Sequence, residues 1–269
     1  MPTFDASTNP ERIPFVDVLI ALCDLAQARG VEIMLVGATA RDIALAAEGH
    51  EAPLRATNDV DIAVVVADAA AFEHLVADLA PVPSGGAHKF LVDAIEVDIV
   101  PFGGIEREDR TIVWPDGSTM NTLGFAEAIQ SALELLLPGG RMMRVASIPA
   151  QAVFKVFAWA DRGPSTDRDA VDLGVLLQCY SSGDRLDHIY AEDSLAVLGE
   201  YDYDVRLAGG HWLGVDVRVH LGSQVARRCR DVVVADSDPG RLPLAMRGDA
   251  AEDRALLTAF AAGLHSSEP

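Results

Sequence analysis

The segment Asp59 to Val66, DVDIAVVV, limits what this chain can fold into more than any other. It is β-branched and strand-like. Residues two apart on a strand point to one face, so Asp59 and Asp61 project together while Val60 and Ile62 face the core. Like charges held side by side on a rigid strand cost energy unless a cation resolves the repulsion, and hard oxygen donors at that spacing suit Mg2+. A solvated edge strand with alternating acids is the competing reading.

The surrounding pattern predicts a sheet. Pro14 to Arg29 has helical apolar spacing with Gly30 just past its end, and Val31 to Val36 reads as a short strand. A second helix follows over 39–47, a polar loop over 49–58 and a third helix over 67–79. Lys89 to Val92 and Ile95 to Val100 form a hairpin around Asp93 and Ala94, closed by Pro101 to Gly104. Further strands fall at 111–114 and within 133–145, the latter two joined by Pro138, Gly139 and Gly140. From Ile148 the pattern is helical, over 149–162, 168–180, 185–200, 211–230 and 250–263. The expected class is α+β: a mixed sheet with flanking helices over 1–147, then a helical domain over 148–269.

The second hairpin strand reads EVDIV, placing Glu96 and Asp98 on one face, so a third carboxylate can meet the first two across neighbouring strands. Two-metal phosphoryl transfer needs such a cluster; an exposed hairpin acid is the alternative. Upstream, MLVGATARD runs from strand through Gly37 into a helix. Gly37 permits close backbone approach, the N–H groups at Gly37, Ala38 and Thr39 are open, and Thr39 adds a hydroxyl, a combination that favours a phosphate. Arg41 reaches a phosphate or pairs with an acid.

Net charge is -20, which disfavours extensive nonspecific binding to RNA or DNA. The longest apolar stretch is interrupted by Asp17 and Asp24, and the start of the chain lacks the pattern of a secretory signal, so a cytoplasmic protein without a membrane span is expected. Cys23, Cys179 and Cys229 are odd in number and far apart, as expected of reduced structural thiols. His88, His211 and His220 lack ligand-like spacing. Lysine and arginine together number 21, and only Lys89 and Lys155 are lysines.

The order LVGATARD, polar loop, TNDVDIAVV, EVDIVPFG resembles the polymerase-β-like nucleotidyltransferase superfamily over about residues 31–104, and GATARD is similar to the GGAVRD of tRNA nucleotidyltransferases. Farther on, Lys155 to Arg162 (KVFAWADR) followed by Asp167 to Leu173 (DRDAVDL) resembles the helical block of AbiEii/AbiGii-type nucleotidyltransferase toxins. Two positions depart from these patterns: Ala38 stands where Gly or Ser is usual, and Arg168 where Lys is. The resemblance implies metal ligation by Asp59, Asp61 and Asp98, a catalytic role for Lys155, and nucleotide contacts from Gly37, Ala38, Thr39, Arg41, Arg162, Asp169 and Asp172. Lys155 and Arg162 share a helical face, as do Asp169 and Asp172; for Lys155 the plain alternative is a lysine snorkelling from an apolar helix.

The implied activity is transfer of a nucleoside monophosphate from an NTP to an acceptor hydroxyl with two Mg2+ ions, for which Mn2+ substitutes. A tRNA acceptor and an antitoxin partner follow from the toxin resemblance, although the charge weakens the tRNA version. A small-molecule, antibiotic-type nucleotidyltransferase and a catalytically silent, partner-regulated protein are the alternatives.

Overall fold

The computed structural model describes residues 3–49, 57–83, 85–237 and 240–265. They pack as two compact units, one within 3–47 and 57–147, the other within 48–49 and 148–265. Most of the loop expected over 49–58 lies outside the described residues.

The first unit is built from strands β1 (Thr3–Asp5), β2 (Ile33–Val36), β3 (Asp59–Val66), β4 (Ala80–Pro81), β5 (Lys89–Val92), β6 (Ile95–Gly103), β7 (Thr111–Val113), β8 (Thr119–Asn121), β9 (Leu133–Leu137) and β10 (Arg141–Val145). Its helices are α1 (Val16–Arg29), α2 (Gly37–Ala47), α3 (Ala69–Val76) and α4 (Phe125–Ala128). Eight strands form one sheet in the order β1-β9-β10-β2-β3-β6-β5-β4, and β7 pairs with β8 separately. The sheet is mixed: β3 runs antiparallel to β2 and parallel to β6. Paired on both sides, β3 buries Val60, Ile62, Ala63 and Val64 completely or nearly so, as its β-branched run requires.

Two expectations are corrected in this unit, and the hairpin around Asp93 and Ala94 forms as expected. The hairpin strand does not close at Pro101 but continues to Gly103. The Ile99 N–H donates across to His88 O, so position 101, of the same parity, turns its missing N–H toward the side that β5 has already left, and no ladder bond is lost. Helix α2 begins at Gly37 itself, two residues early. The Asp93–Ala94 turn has both residues at positive φ, 48° and 65°, the twist that tight two-residue hairpins demand and that usually selects Asn-Gly. The short elements β1, β4, β8 and α4 were not expected.

The second unit comprises α5 (Ile148–Arg162), α6 (Arg168–Cys179), α7 (Arg185–Ile189), α8 (Leu195–Glu200), α9 (Val205–Ser237), α10 (Leu242–Ala245) and α11 (Ala250–His265). The helix expected over 185–200 is two helices, because Ala191 turns extended at ψ 148° before the acidic Glu192–Ser194 turn. The one expected over 211–230 lies within the longer α9, whose ladder breaks at Gly222 with φ 87° and ψ 160°. Against it, α11 packs so closely that a Cβ on Gly214 would lie 2.6 Å from Leu264 N. No helix among the described residues is long and apolar enough to cross a membrane. The class is α+β, a mixed sheet with helices followed by a helical region.

The cysteines are free thiols. Burial, with Asp24 adding to it, pushes the Cys23 thiol up to about 11, and burial raises Cys229 further, so neither offers a thiolate near neutrality.

Candidate active site

Three strands converge on the carboxylates. Asp61 is in register with Asp98 across the parallel β3–β6 pair, and Asp59 with Glu96, so all four side chains emerge on one face. On the other flank Val36, the last residue of β2, is the register partner of Asp61, and the chain turns at once into α2. Gly37 makes that turn possible. Its φ is 71°, and a Cβ there would overlap Asp61 Oδ2 and lie 2.7 Å from Asp61 Cγ. The strand-Gly-helix signal in the sequence is therefore a packing requirement imposed by the second aspartate.

Neighbouring side chains hold the face in place. The Thr57 hydroxyl donates to Asp59 Oδ1. Lys89, opposite Asp98 on β5, donates from Nζ to Asp98 Oδ1 and Oδ2 at 2.8 and 3.0 Å and to Glu96 Oε1 at 2.5 Å. Burial depresses the Lys89 ammonium, but its bonds to Asp98 and Glu96 outweigh that and hold its pKa above the ordinary value, so it is a cation at any physiological pH. His88 Nε2 stands 3.8 Å from Asp98 Oδ2, its ring tilted against Trp114 at 5.1 Å. Sequence reasoning missed Thr57, His88 and Lys89 as members of the site. For Lys89 two signals were present, the scarcity of lysine and the hairpin register.

The donor set suits a hard divalent ion, with Asp59 and Asp61 side by side on a rigid strand and Asp98 across from Asp61. As the side chains stand, no group of three or more His, Cys, Asp or Glu among the described residues converges to hold a metal, and Asp98 is engaged by Lys89. At the head of α2, Ala38 is buried and Thr39 is 1% exposed, with an Oγ1 that has no hydrogen-bond partner among the described residues. A hydroxyl left unsatisfied in a buried place has lost water without replacement, which marks the start of α2 as a place where a polar ligand group would be stabilising. Arg41 is also 1% exposed, and its Nε and Nη2 donate to Asp42 Oδ1 at 3.0 and 2.8 Å.

In the second unit, the two residue pairs expected on α5 and α6 form a single ionic cluster. Lys155 Nζ lies 2.7 Å from Asp172 Oδ2 and 3.3 Å from Asp169 Oδ1. Arg162 donates from Nε and Nη2 to Asp169 at 2.6 and 2.9 Å. The two carboxylates are 1% and 3% exposed, Arg162 56%. Burial works to raise the Asp169 carboxyl, but the Arg162 hydrogen bond and the Lys155 and Arg162 charges overcome it and leave its pKa below the ordinary value.

A group lowered on folding stabilises the fold fully above its unfolded pKa, near 3.9, and that stabilisation is lost as pH falls through the folded value. Asp169→Asn is accordingly expected to cost about 1–3 kcal/mol at pH 7, since it leaves two cations short of a buried acceptor. The difference from wild type should shrink below about pH 4. Urea unfolding at pH 7 and pH 3.5 checks this; a difference independent of pH refutes the ionic account.

No protein-family model matches the chain, and no curated protein matches it. Among the solved structures that are similar in part are the following two. One, of the antibiotic-resistance factor ANT(2'')-Ia, is 13% identical with a TM-score of 0.36, over 70% of this chain and 92% of that one. The other, an antigenic nucleotidyltransferase-like protein from Paracoccidioides brasiliensis, is 15% identical with a TM-score of 0.37, over 72% and 91%. Likeness at this level carries no argument about the site.

Proposed function

We propose that the first unit is a divalent-cation-dependent nucleotidyltransferase that moves a nucleoside monophosphate from an NTP to an acceptor hydroxyl. The observation that carries the reading is the register that sets Asp61 beside Asp98 and Asp59 beside Glu96 on one face, next to a glycine turn that opens a helix. In this reading Asp59 and Asp61 hold the metal and Asp98 completes the site. A bound Mg2+, or Mn2+ in its place, would acidify the acceptor hydroxyl and neutralise charge on the transferred phosphoryl group.

The backbone N–H groups at Gly37 and Ala38 and the unsatisfied Thr39 hydroxyl take phosphate oxygens at the positive end of α2. Asp98 orients the acceptor hydroxyl and accepts its proton. The acceptor oxygen forms a bond to the α-phosphorus, the bond from that phosphorus to the bridging oxygen breaks, and pyrophosphate leaves with the electron pair. A cytoplasmic setting supplies both NTP and Mg2+.

Net charge favours a small acceptor over RNA. At -20 the chain repels a polyanion at long range, whereas a small hydroxyl compound of the antibiotic type meets no such barrier and is attracted if cationic. A tRNA acceptor, with an antitoxin protein as regulator, is the other form of the reading. Incubation with each labelled NTP, Mg2+ or Mn2+, and either total tRNA or a panel of small hydroxylated amines separates them; no label transfer to any acceptor under any metal refutes the proposal.

Because metal and triphosphate share ligands, Mg2+ and NTP together should raise the melting temperature by more than the sum of their separate shifts. Saturation at a hundredfold over Kd corresponds to about 2.7 kcal/mol. Strictly additive shifts in a thermal melt would place metal and nucleotide at separate sites.

A further inference from the structure

We infer that Lys89 is a resident counter-cation of the carboxylate face, which a divalent ion must displace from Asp98 before that side chain can serve as a ligand. The inference rests on the nucleotidyltransferase reading and adds to it a control on metal entry built from this chain's own residues.

Three observations carry it. First, the Lys89 ammonium reaches both oxygens of Asp98, so the carboxylate that lies across from Asp61 is already satisfied by a positive charge. Second, Glu96, on the same strand and face as Asp98, holds the same ammonium at 2.5 Å. When Asp98 turns to an ion, Lys89 has a partner to remain with, and its charge stays on the face instead of being expelled into solvent. Third, the Lys89 side chain is 26% exposed on a strand near the end of the sheet, so its ammonium can shift without opening the core.

The choice of lysine fits this role. Of the 21 Lys and Arg residues only Lys89 and Lys155 are lysines, and each bridges two carboxylates. A guanidinium would grip Asp98 with a planar two-point fork, whereas an ammonium is a compact point charge that exchanges partners without a fixed geometry. Lys89 thereby offsets part of the negative charge of the face in the metal-free protein, that of Asp98 and Glu96, at the cost of weaker metal binding.

The test is titration of the full chain with Mn2+ alone, at low ionic strength and without nucleotide, read by the electron paramagnetic resonance of free Mn2+. Lys89→Met is expected to bind Mn2+ roughly tenfold more tightly than wild type, because a neighbouring positive charge in a partly screened site has been removed. Lys89→Arg should bind no more tightly than wild type. Arg29→Gln, which removes a positive charge paired with Asp78 elsewhere in the unit, should stay within about twofold, excluding an effect of net charge alone. If the methionine variant fails to melt cooperatively, Lys89→Gln takes its place.

Equal or weaker Mn2+ affinity in Lys89→Met, with binding still abolished by Asp61→Asn, overturns the inference and leaves the nucleotidyltransferase reading intact. Absence of Mn2+ binding in wild type and every variant overturns both.

Discussion

Asp61→Asn is expected to reduce nucleotidyl transfer by roughly 10²–10³-fold or more, the scale on which loss of one transition-state charge contact is felt, while leaving the melting temperature of the metal-free protein unchanged or raised. Asparagine is chosen over alanine because the Asp61 side chain fills the space that Gly37 leaves open, and an amide of the same shape keeps that packing. What it removes is charge. Asp61 stands beside Asp59 on one strand and across from Asp98 on the next, so the metal-free protein sheds repulsion and the metal loses a ligand. Label transfer within a few-fold of wild type at saturating metal would remove Asp61 from the metal site. A cooperative melt, recorded alongside, distinguishes lost chemistry from lost fold.

Gly37→Ala is expected to cost about 2–4 kcal/mol of stability and most transfer activity. Two costs combine. A non-glycine residue at φ 71° carries about 1–2 kcal/mol of backbone strain, and the new Cβ overlaps the Asp61 carboxylate, which must swing away or push β2 from β3. Gly117→Ala separates them. Gly117 has φ 85° but nothing within 4 Å of its Cβ direction, so it should pay the strain alone, about 1 kcal/mol. Equal stability losses in the two variants, by urea unfolding, would show that Gly37 is retained for backbone conformation and not for the aspartate beside it.

Much of this site was readable before any coordinates, for a definite reason. The period of two in DVDIAVVV and EVDIV assigns each aspartate to a face without knowledge of the sheet, and the structure needed only to set the two strands side by side. Register was not readable. That Asp61 meets Asp98, and not Val97 or Ile99, depends on pairing over residues far apart in sequence, which no local pattern encodes. The same holds for Lys89, whose partners are set by the hairpin. The helical half was legible as helix but not in its breaks. Gly222 in α9 and the Ala191 turn are local departures inside otherwise helical spacing. In sequence, Lys155 with Arg162 and Asp169 with Asp172 read as two separate pairs, each on one helical face, and only the packing of α5 on α6 makes them one network.

The Asp93–Ala94 turn bears on which sequence changes this fold tolerates. With two residues in the left-handed region and strands paired directly on either side, the turn fixes the number of positions between Lys89 and Asp98. One inserted residue would advance the register by a step, and because alternate residues face opposite sides it would set Phe90 or His88 against Asp98 in place of the ammonium. In descendants of this chain, length changes should therefore gather in the connection between β4 and β5 and spare the turn. A comparison of lineages that keep both aspartates would record it as a hairpin that varies in sequence and never in length.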